Sequence, residues 1–393
     1  MAQPATPSPS PLLVSHVELY VTDARAAAEA FTGGYGFQVF ATAERTGERT
    51  GERTAERTAA STGAEGASRS LALRQGGIVL VVTQALDAAH PAAAYTAVHG
   101  DGIADIALTT ADVRASYADA TARGATPQAA PADHDGGWVT ARVGAGFDDV
   151  RHTLVQRPPA GAEAQGTPLP LPGFTPVPEL APPAAESPAL TVLDHVAVTV
   201  KTGELATSTG YYERVFGFES VYEELMVQGQ EAMDSKAVRS PAGDLTFTVL
   251  APSPDHQAGH IGDFLARHGS GGVHHLAFAT ENIVETVARL DKRGIVFLST
   301  PDAYYEAVAV RLDLSRHSIE ELREPGILAD EDHAGQLFQI FTRTVHPQRT
   351  LFYEIIERIG ADTFGGGNVR ALYEAVQAEK AEHEGNTRTE NDR

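Results

Sequence analysis

The sequence predicts an α+β protein in which one domain architecture is used twice. Three observations carry that prediction. A strand opening recurs, as Ser15-His16-Val17-Glu18-Leu19-Tyr20-Val21 and as Asp194-His195-Val196-Ala197-Val198-Thr199-Val200; the segments that follow each copy come in the same order; and a proline-rich stretch separates the two series. Self-similarity of this kind sets a fold more firmly than local propensity does.

The elements follow in chain order. Residues 1–11, rich in Pro, Ser and Ala, read as a disordered tail. The first domain, 12–157, opens on the His16 strand and continues into an Ala-rich helical stretch ending in Gly33-Gly34-Tyr35-Gly36-Phe37. The second, 191–382, opens on the His195 strand, and its helical stretch ends in Tyr211-Tyr212-Glu213-Arg214-Val215-Phe216-Gly217-Phe218. Next, Gly102-Ile103-Ala104-Asp105-Ile106-Ala107-Leu108 matches Gly272-Val273-His274-His275-Leu276-Ala277-Phe278. A helical pattern follows each, marked by Val113 and Tyr117 or by Ile283, Val287 and Leu290, and closed by Gly124 or Gly294. Finally, His152-Thr153-Leu154-Val155-Gln156-Arg157 lines up with Tyr353-Glu354-Ile355-Ile356-Glu357-Arg358.

Three stretches fall outside this pattern. Residues 43–66 repeat a four-residue unit, from Glu44-Arg45-Thr46-Gly47 to Glu56-Arg57-Thr58, with no apolar face, and read as a flexible insertion between two strands. Residues 158–190, with Pro158-Pro159, Pro168, Pro170, Pro172, Pro176, Pro178 and Pro182-Pro183, read as a semi-extended linker. Residues 383–393 form a second disordered tail.

At three corresponding positions the first half holds His16, Asp105 and Thr153, and the second holds His195, His275 and Glu354. Two histidines and a carboxylate facing one point, with open positions opposite, suit non-haem Fe(II) and oxygen chemistry. Side chains alternate faces along a strand, so three neighbouring strands can each send one ligand inward. On that parity His195 shares a face with Ala197 and Thr199, His275 with Val273 and Ala277, and Glu354 with Phe352 and Ile356, while His274 and Glu357 point the other way. A lone strand histidine is more often a hydrogen-bonded core or surface residue than a ligand, and His16 is read so. What lifts His195, His275 and Glu354 above that reading is their equivalent placement on three strands. Thr153 lacks a strong anionic donor, so the first half is expected to hold no metal.

Composition bounds the remaining possibilities. A length of 393 residues suggests two or three domains, and 42% apolar content supports real cores. The absence of cysteine excludes disulfides, thiolate metal sites and iron–sulfur clusters, leaving imidazole and carboxylate as ligands. A net charge of −22 argues against nucleic acid or an anionic membrane as partner. The stretch Met1 to Ser10 lacks a basic region followed by an apolar core, and no long apolar run occurs, so a soluble cytoplasmic protein is expected. The sequence does not fix oligomeric state; a homo-oligomer is compatible with it.

Several longer motifs are family-specific: Leu193-Asp194-His195, Gly271-Gly272-Val273-His274-His275, Gly335-Gln336-Leu337-Phe338-Gln339-Ile340-Phe341-Thr342, Phe352-Tyr353-Glu354-Ile355-Ile356-Glu357-Arg358 and Phe364-Gly365-Gly366-Gly367-Asn368. Through them the chain resembles the 4-hydroxyphenylpyruvate dioxygenase family of the vicinal-oxygen-chelate superfamily, over nearly its whole length apart from the N-terminal tail and the Glu-Arg-Thr tract. The resemblance implies two domains of paired βαβββ modules, each a curved, open, barrel-like sheet with outer helices, and a C-terminal capping helix. It implies Fe(II) held by His195, His275 and Glu354, and 4-hydroxyphenylpyruvate and O2 as substrates. It also places Gln339 and Phe364 in the iron pocket in catalytic roles, and Ser235, Thr248, Leu250, Phe341 and Val369 against the substrate. From Asn368 to Glu382, Val369, Leu372 and Val376 share a helical face suited to capping the pocket mouth. At His260 both branches of the family usually carry Gln, so no role is carried over.

Two departures from the family pattern are informative. Members that make homogentisate typically carry Pro-Ile-Asn-Glu-Pro where this chain has Thr248-Val249-Leu250-Ala251-Pro252, so Leu250 stands for Asn; and they usually place Phe after the Gly-Asn motif, where Val369 stands. Both changes, and the segment His317-Ser318-Ile319-Glu320-Glu321-Leu322, resemble the mandelate-forming branch, which hydroxylates the benzylic carbon. Losing a polar Asn and a bulky Phe would retilt the substrate ring, and misplacement of about 1 Å changes rates on the order of 100-fold. The expected reaction is oxidative decarboxylation of 4-hydroxyphenylpyruvate with O2 and benzylic hydroxylation to 4-hydroxymandelate and CO2. The alternatives are the homogentisate-forming dioxygenase and a metal-free binding module on the same fold.

Overall fold

A computed structural model describes residues 12–46, 66–158, 171–177 and 187–368. Alternation of apolar and polar residues makes β1 (Leu13–Tyr20) a strand with Val17 and Leu19 buried. It is followed by α1 (Ala24–Ala30), a π-helical turn (Phe31–Tyr35), β2 (Gln38–Arg45), β3 (Ser68–Gln75), β4 (Ile78–Ala85) and α2 (Pro91–His99). Next come β5 (Gly102–Thr109), α3 (Val113–Ala122), β6 (Pro127–His134), β7 (Trp138–Gly144), β8 (Arg151–Gln156) and β9 (Thr175–Pro176). The second series comprises β10 (Leu190–Thr199), α4 (Leu205–Phe216), β11 (Glu219–Gln228), β12 (Glu231–Arg239), β13 (Thr246–Pro252), α5 (Gly259–His268) and β14 (Gly272–Thr280). It ends with α6 (Ile283–Lys292), α7 (Asp302–Arg311), α8 (Ile319–Arg323), β15 (Leu328–Glu331), β16 (Gln336–Phe341) and β17 (Phe352–Ile359).

The strands form two curved sheets with the same wiring. One runs β6-β7-β8-β5-β1-β4-β3-β2-β9, and the other, read from its far edge, runs β15-β16-β17-β14-β10-β13-β12-β11. Apart from β9, each strand of the first has its counterpart in the second. At each centre two strands pair antiparallel, β1 with β5 and β10 with β14, and each central strand pairs parallel on its outer side. Each sheet is thus two βαβββ modules joined edge to edge.

Local chemistry fixes the element ends in both copies. Asp112 caps α3 by accepting from Ala115 N–H (3.0 Å), and Asn282 caps α6 by accepting from Glu285 N–H (3.1 Å). Val113 N–H donates to Gln156 at 3.0 Å and Ile283 N–H donates to Glu357 at 2.7 Å, so equivalent side chains tie equivalent helix starts to the last strand of each sheet. Gly36 and Gly217 end their helical stretches at φ +79° and +70°, a region in which a Cβ is strained.

The structure differs from the sequence expectation in three places. Ala43 to Arg45 belong to β2, because the Glu44–Arg69 ion pair at 2.8 Å and the Arg45–Ser68 pairing extend the ladder to the start of the Glu-Arg-Thr tract. Thr175–Pro176, inside the proline-rich stretch, forms β9 against Ala41 and Thr42. The third is a β-bulge in each central ladder. Ala197 pairs with His275 but Val198 pairs with Val273, leaving His274 as the extra residue, so Val273 leaves the His275 face for the core and His274 turns towards that of its neighbour. Residues 1–11, 47–65, 159–170, 178–186 and 369–393, including Val369 and all of the expected capping helix beyond Asn368, lie outside the described residues.

One apolar core runs between the two sheets, on the faces away from their concave sides. Phe31 and Phe37 reach across to Tyr353 and Phe278, with ring centroids 5.6 and 6.1 Å apart. In the other direction Tyr212, fully buried, bonds His152 at 2.9 Å. Burying aromatics of this size contributes roughly 2–3 kcal/mol each, which welds the halves into one packing unit.

A histidine stack adds a polar seam to that junction. The His268 ring lies 4.3 Å from His99 and 5.1 Å from Phe264, and the His99 imidazole contacts the His268 carbonyl at 2.7 Å and Asp149 at 3.0 Å. Burial, reinforced by the His99 ring, lowers the His268 pKa from 6.5 to about 4. Above pH 6.5 both folded and unfolded chains are neutral here; as pH falls towards 4 only the unfolded chain takes the proton, so stability is lost at about 1.4 kcal/mol per pH unit. His268→Phe, which keeps the stack without the titration, is expected to show a smaller fall in melting temperature between pH 7 and pH 5 than the unsubstituted protein. Equal falls would assign the acid sensitivity elsewhere.

Candidate metal centre

The concave face of the second sheet is read directly from strand register. His195 pairs with Ala277, Ala277 with Glu354 and Glu354 with Phe341. The adjacent row runs Ala237, Thr248, Ala197, His275 and Phe352, and the next runs Ser235, Leu250 and Thr199. Residues directly opposite across a ladder share a face. This register gathers His195, His275, Glu354, Ser235, Thr248, Leu250 and Phe341 around one cavity of about 480 Å³.

The donor atoms of His195, His275 and Glu354 lie within 4.8 Å of one another, and all three residues are buried. Glu354 Oε2 is 3.4 Å from His195 Nε2 and 3.2 Å from His275 Nε2. Burial alone would raise the Glu354 carboxyl, but the two imidazoles hold it down at about 2. Burial alone would lower His195, but Glu354 and Asp194 raise it to about 9. In His275 burial prevails and lowers the pKa. Two nitrogens and one oxygen converging inside the protein, open on the cavity side, fit a divalent transition metal bound on one face.

Two further contacts orient the centre. His195 Nδ1 lies 2.8 Å from Asp194 Oδ1, and Asp194 is held by Arg358 through a fork of two bonds at 2.8 and 2.9 Å. A metal-binding histidine whose second nitrogen donates to a carboxylate is fixed in tautomer and ring plane. A bulge places Asp194 for this contact, since Leu193 pairs with Phe278 and His195 with Ala277. Burial tends to raise the Asp194 carboxyl, and its bonds to His195 and Arg358 outweigh that and lower it. The Arg358 guanidinium also lies 5.2 Å from the Phe364 ring, whose edge-on contact with His195 measures 5.1 Å. Arg358 and Asp194 were not legible as site residues, because an ordinary surface ion pair has the same sequence signature.

The other expected residues fall into two groups. Ser235, Thr248, Leu250, Phe341 and Phe364 line the cavity. Gln339 sits behind that wall, buried, and a Cβ on Gly365 would lie 2.5 Å from its Oε1, so only glycine admits this approach. Ser235 Oγ, Thr248 Oγ1 and both ends of the Gln339 amide have no hydrogen-bond partner among the described residues. A buried polar group left unpaired costs about 1–3 kcal/mol, which favours a polar ligand or water here. His260, Arg267 and Arg349 also line the cavity, and no periodicity marked them; Arg349, at φ +55°, is the one non-glycine residue with positive φ among those described.

The first sheet answers the same positions differently. His16 pairs with Ala107 and Glu18 with Asp105, as His195 pairs with Ala277 and Ala197 with His275. Asp105 accepts from Thr153 N–H at 2.9 Å and from Arg151 Nε at 2.8 Å, and Arg151 also reaches Glu18 at 3.2 Å. Among the described residues His16 bonds to Ser15, at 3.2 Å, and burial lowers its pKa. Arg151 thus supplies the positive charge between buried Asp105 and part-buried Glu18 where the second sheet gathers its two imidazoles and carboxylate.

A family model described as the Glyoxalase/Bleomycin resistance protein/Dioxygenase superfamily matches residues 13–155 and 192–338. A 4-hydroxyphenylpyruvate dioxygenase of Dictyostelium discoideum is 28% identical over 93% of this chain and 97% of its own. A probable 4-hydroxyphenylpyruvate dioxygenase 2 of Aspergillus fumigatus is 32% identical over 72% of this chain and 71% of its own. Among solved structures, a triple mutant of 4-hydroxymandelate synthase from Streptomyces coelicolor is 38% identical with a TM-score of 0.77, covering 94% of this chain and 99% of that one.

Two outcomes follow from the contrast between the halves. Arg151→Met strands two carboxylates and is expected to cost roughly 3 kcal/mol by denaturant unfolding, with Asp105→Asn in the same chain restoring part of the loss. Asp194→Asn is expected to weaken divalent-metal binding 10- to 100-fold in a chelator competition.

Proposed function

Because the chain belongs to the Glyoxalase/Bleomycin resistance protein/Dioxygenase superfamily, and within it to the 4-hydroxyphenylpyruvate dioxygenase family, we propose that it is an iron(II)-dependent 4-hydroxymandelate synthase. The reaction is 4-hydroxyphenylpyruvate plus O2 giving 4-hydroxymandelate plus CO2. In this reading residues 12–157 support, residues 191–382 catalyse, and the enzyme is soluble and cytoplasmic. No helix among the described residues is long and apolar enough to cross a membrane.

His195, His275 and Glu354 would hold the iron. When bound, iron(II) supplies the redox chemistry that couples O2 to decarboxylation of a 2-oxo acid and to hydroxylation of the remaining fragment. With Glu354 as the single anionic ligand, an iron(II) held there would keep one net positive charge, to which a substrate carboxylate is complementary. Ser235 and Thr248 offer hydroxyls without other partners to the polar groups of the substrate. Phe341 and Phe364 supply aromatic walls, and Gln339 holds an amide beside Gly365.

The observation that carries the mandelate reading is the setting of Leu250. Its side chain faces the cavity and packs with Met226, Met233 and Ile261, an apolar cluster at the position where homogentisate-forming members typically carry an amide. An amide there would orient a substrate by hydrogen bonding; leucine leaves orientation to shape, so the benzylic carbon, not the ring, is presented for oxidation. Ring hydroxylation to homogentisate is the second reading, favoured by the names of the dioxygenase relatives.

Purified protein given Fe(II), ascorbate, O2 and 4-hydroxyphenylpyruvate is expected to form 4-hydroxymandelate, identified chromatographically against both standards; homogentisate alone would establish the second reading. Leu250→Asn combined with Val369→Phe is expected to shift part of the product to homogentisate, and an active double variant with unchanged product ratio would place selectivity elsewhere. Glu354→Ala is expected to lose both iron and turnover, an outcome a metal-free binding module would not give.

A further inference from the structure

The bulge in the central ladder puts a third imidazole against the metal centre. His274, the unpaired residue of that bulge, lies with its Nδ1 3.1 Å from the Nδ1 of His275. Regular strand alternation would have sent it to the opposite face. Its ring is caged by Phe264 and Phe352, both edge-on, at centroid distances of 5.3 and 4.7 Å, and Phe352 also stacks on His275 at 4.9 Å.

With a metal on Nε2 of His275, the hydrogen positions follow from this geometry. His275 turns Nε2 towards Glu354, at 3.2 Å, so Nε2 is the nitrogen available to a metal and Nδ1 must carry the hydrogen. Two Nδ1 atoms at hydrogen-bond distance require one donor and one acceptor, so His274 accepts through a bare Nδ1 and carries its own hydrogen on Nε2. The first sheet provides an internal control. It has a bulge in the same ladder, where Glu18 pairs with Asp105 and Leu19 with Ile103, and the extra residue there is Ala104. Where Arg151 replaces the ligand set, the bulge carries no acceptor.

We propose that His274 is a positioning residue that accepts the Nδ1 hydrogen of His275 and fixes the tautomer and ring plane in which His275 binds the metal. The two histidine ligands are thereby made unequal. His195 donates to a carboxylate, Asp194, and becomes the more basic ligand; His275 donates to a neutral imidazole and becomes the weaker one. Hydrogen-bonded partners of metal-binding histidines are worth 10- to 100-fold in metal affinity, so the contact is large enough to measure.

The inference rests on the iron-centre reading, and the experiment separates the two. Full-length protein, His274→Gln and His274→Leu are titrated with Fe(II) anaerobically and with Co(II), in competition with a chromophoric chelator, and the cobalt ligand-field spectrum is recorded. Gln keeps an oxygen that can accept from His275; Leu keeps bulk without an acceptor. The Leu variant is expected to bind 10- to 100-fold more weakly with a shifted cobalt spectrum, and the Gln variant to stay within a few-fold of the unsubstituted protein, while all three metal-free proteins melt alike. Equal affinity in all three, or equal loss in Gln and Leu, would overturn the positioning role. A Leu variant whose metal-free form melts lower is judged by the Gln variant, whose loss of affinity without loss of stability would also overturn it. Failure of the unsubstituted protein to bind either metal would instead overturn the iron-centre reading.

Discussion

Each sheet buries a carboxylate on its concave face, and a buried carboxylate must meet positive charge. An unpaired carboxylate in a medium of low dielectric costs several kcal/mol even after relaxation, so whatever neutralises it decides what the surrounding strands can do. In the first sheet the Arg151 guanidinium lies between Asp105 and Glu18, and its bonds saturate the site from within. In the second, Glu354 faces two imidazoles and an open cavity, with no guanidinium bonded to it among the described residues. Equivalent backbone and register therefore yield one site closed by an arginine and one whose imidazole and carboxylate atoms stay open to a cavity.

The irregularities in the ladders matter as much as their regularity. One bulge lets Asp194 reach the outer nitrogen of His195, and another brings His274 onto that of His275. Neither contact is available to a perfectly alternating strand, because neighbours along it point to opposite faces. The first domain keeps both bulges but fills the extra positions with Ser15, whose hydroxyl contacts the His16 ring, and Ala104, which has no polar side-chain atom. Backbone geometry has been retained in both copies while the side chains that used it persist in one.

The packing between the halves explains why a domain without the ligand set stays attached. Phe31, Tyr35 and Phe37 lie on the back of the strands that carry His275 and Glu354, against Phe278 and Tyr353. The face opposite the centre is thus held by the other domain, which limits how far the ligand-bearing strands can shift. Glu357, buried on that opposite side and bonded to Ile283 N–H and His317, ties the third ligand strand to α6 in the same way.

The duplicated motif order pointed, by itself, to the two-sheet α+β architecture and to His195, His275 and Glu354, whose donor atoms the structure brings within 4.8 Å of one another. Periodicity and repeat equivalence survive in a linear string because each strand must present the same faces to the same core. Part of the cavity wall was also legible through motif matching: Ser235, Thr248, Leu250, Phe341 and Phe364 meet around one space. What only the tertiary structure decided lies in contacts between residues with no fixed spacing. The Asp194–Arg358 fork joins residues 164 positions apart, the Arg151 network joins three strands, and the turn of His274 towards the centre depends on a slip in register that parity counting cannot see. Alternation along a strand is a local rule and can be read from sequence; a bulge and a charge pair are settled by what the neighbouring strand offers, and that exists only once the sheet has formed.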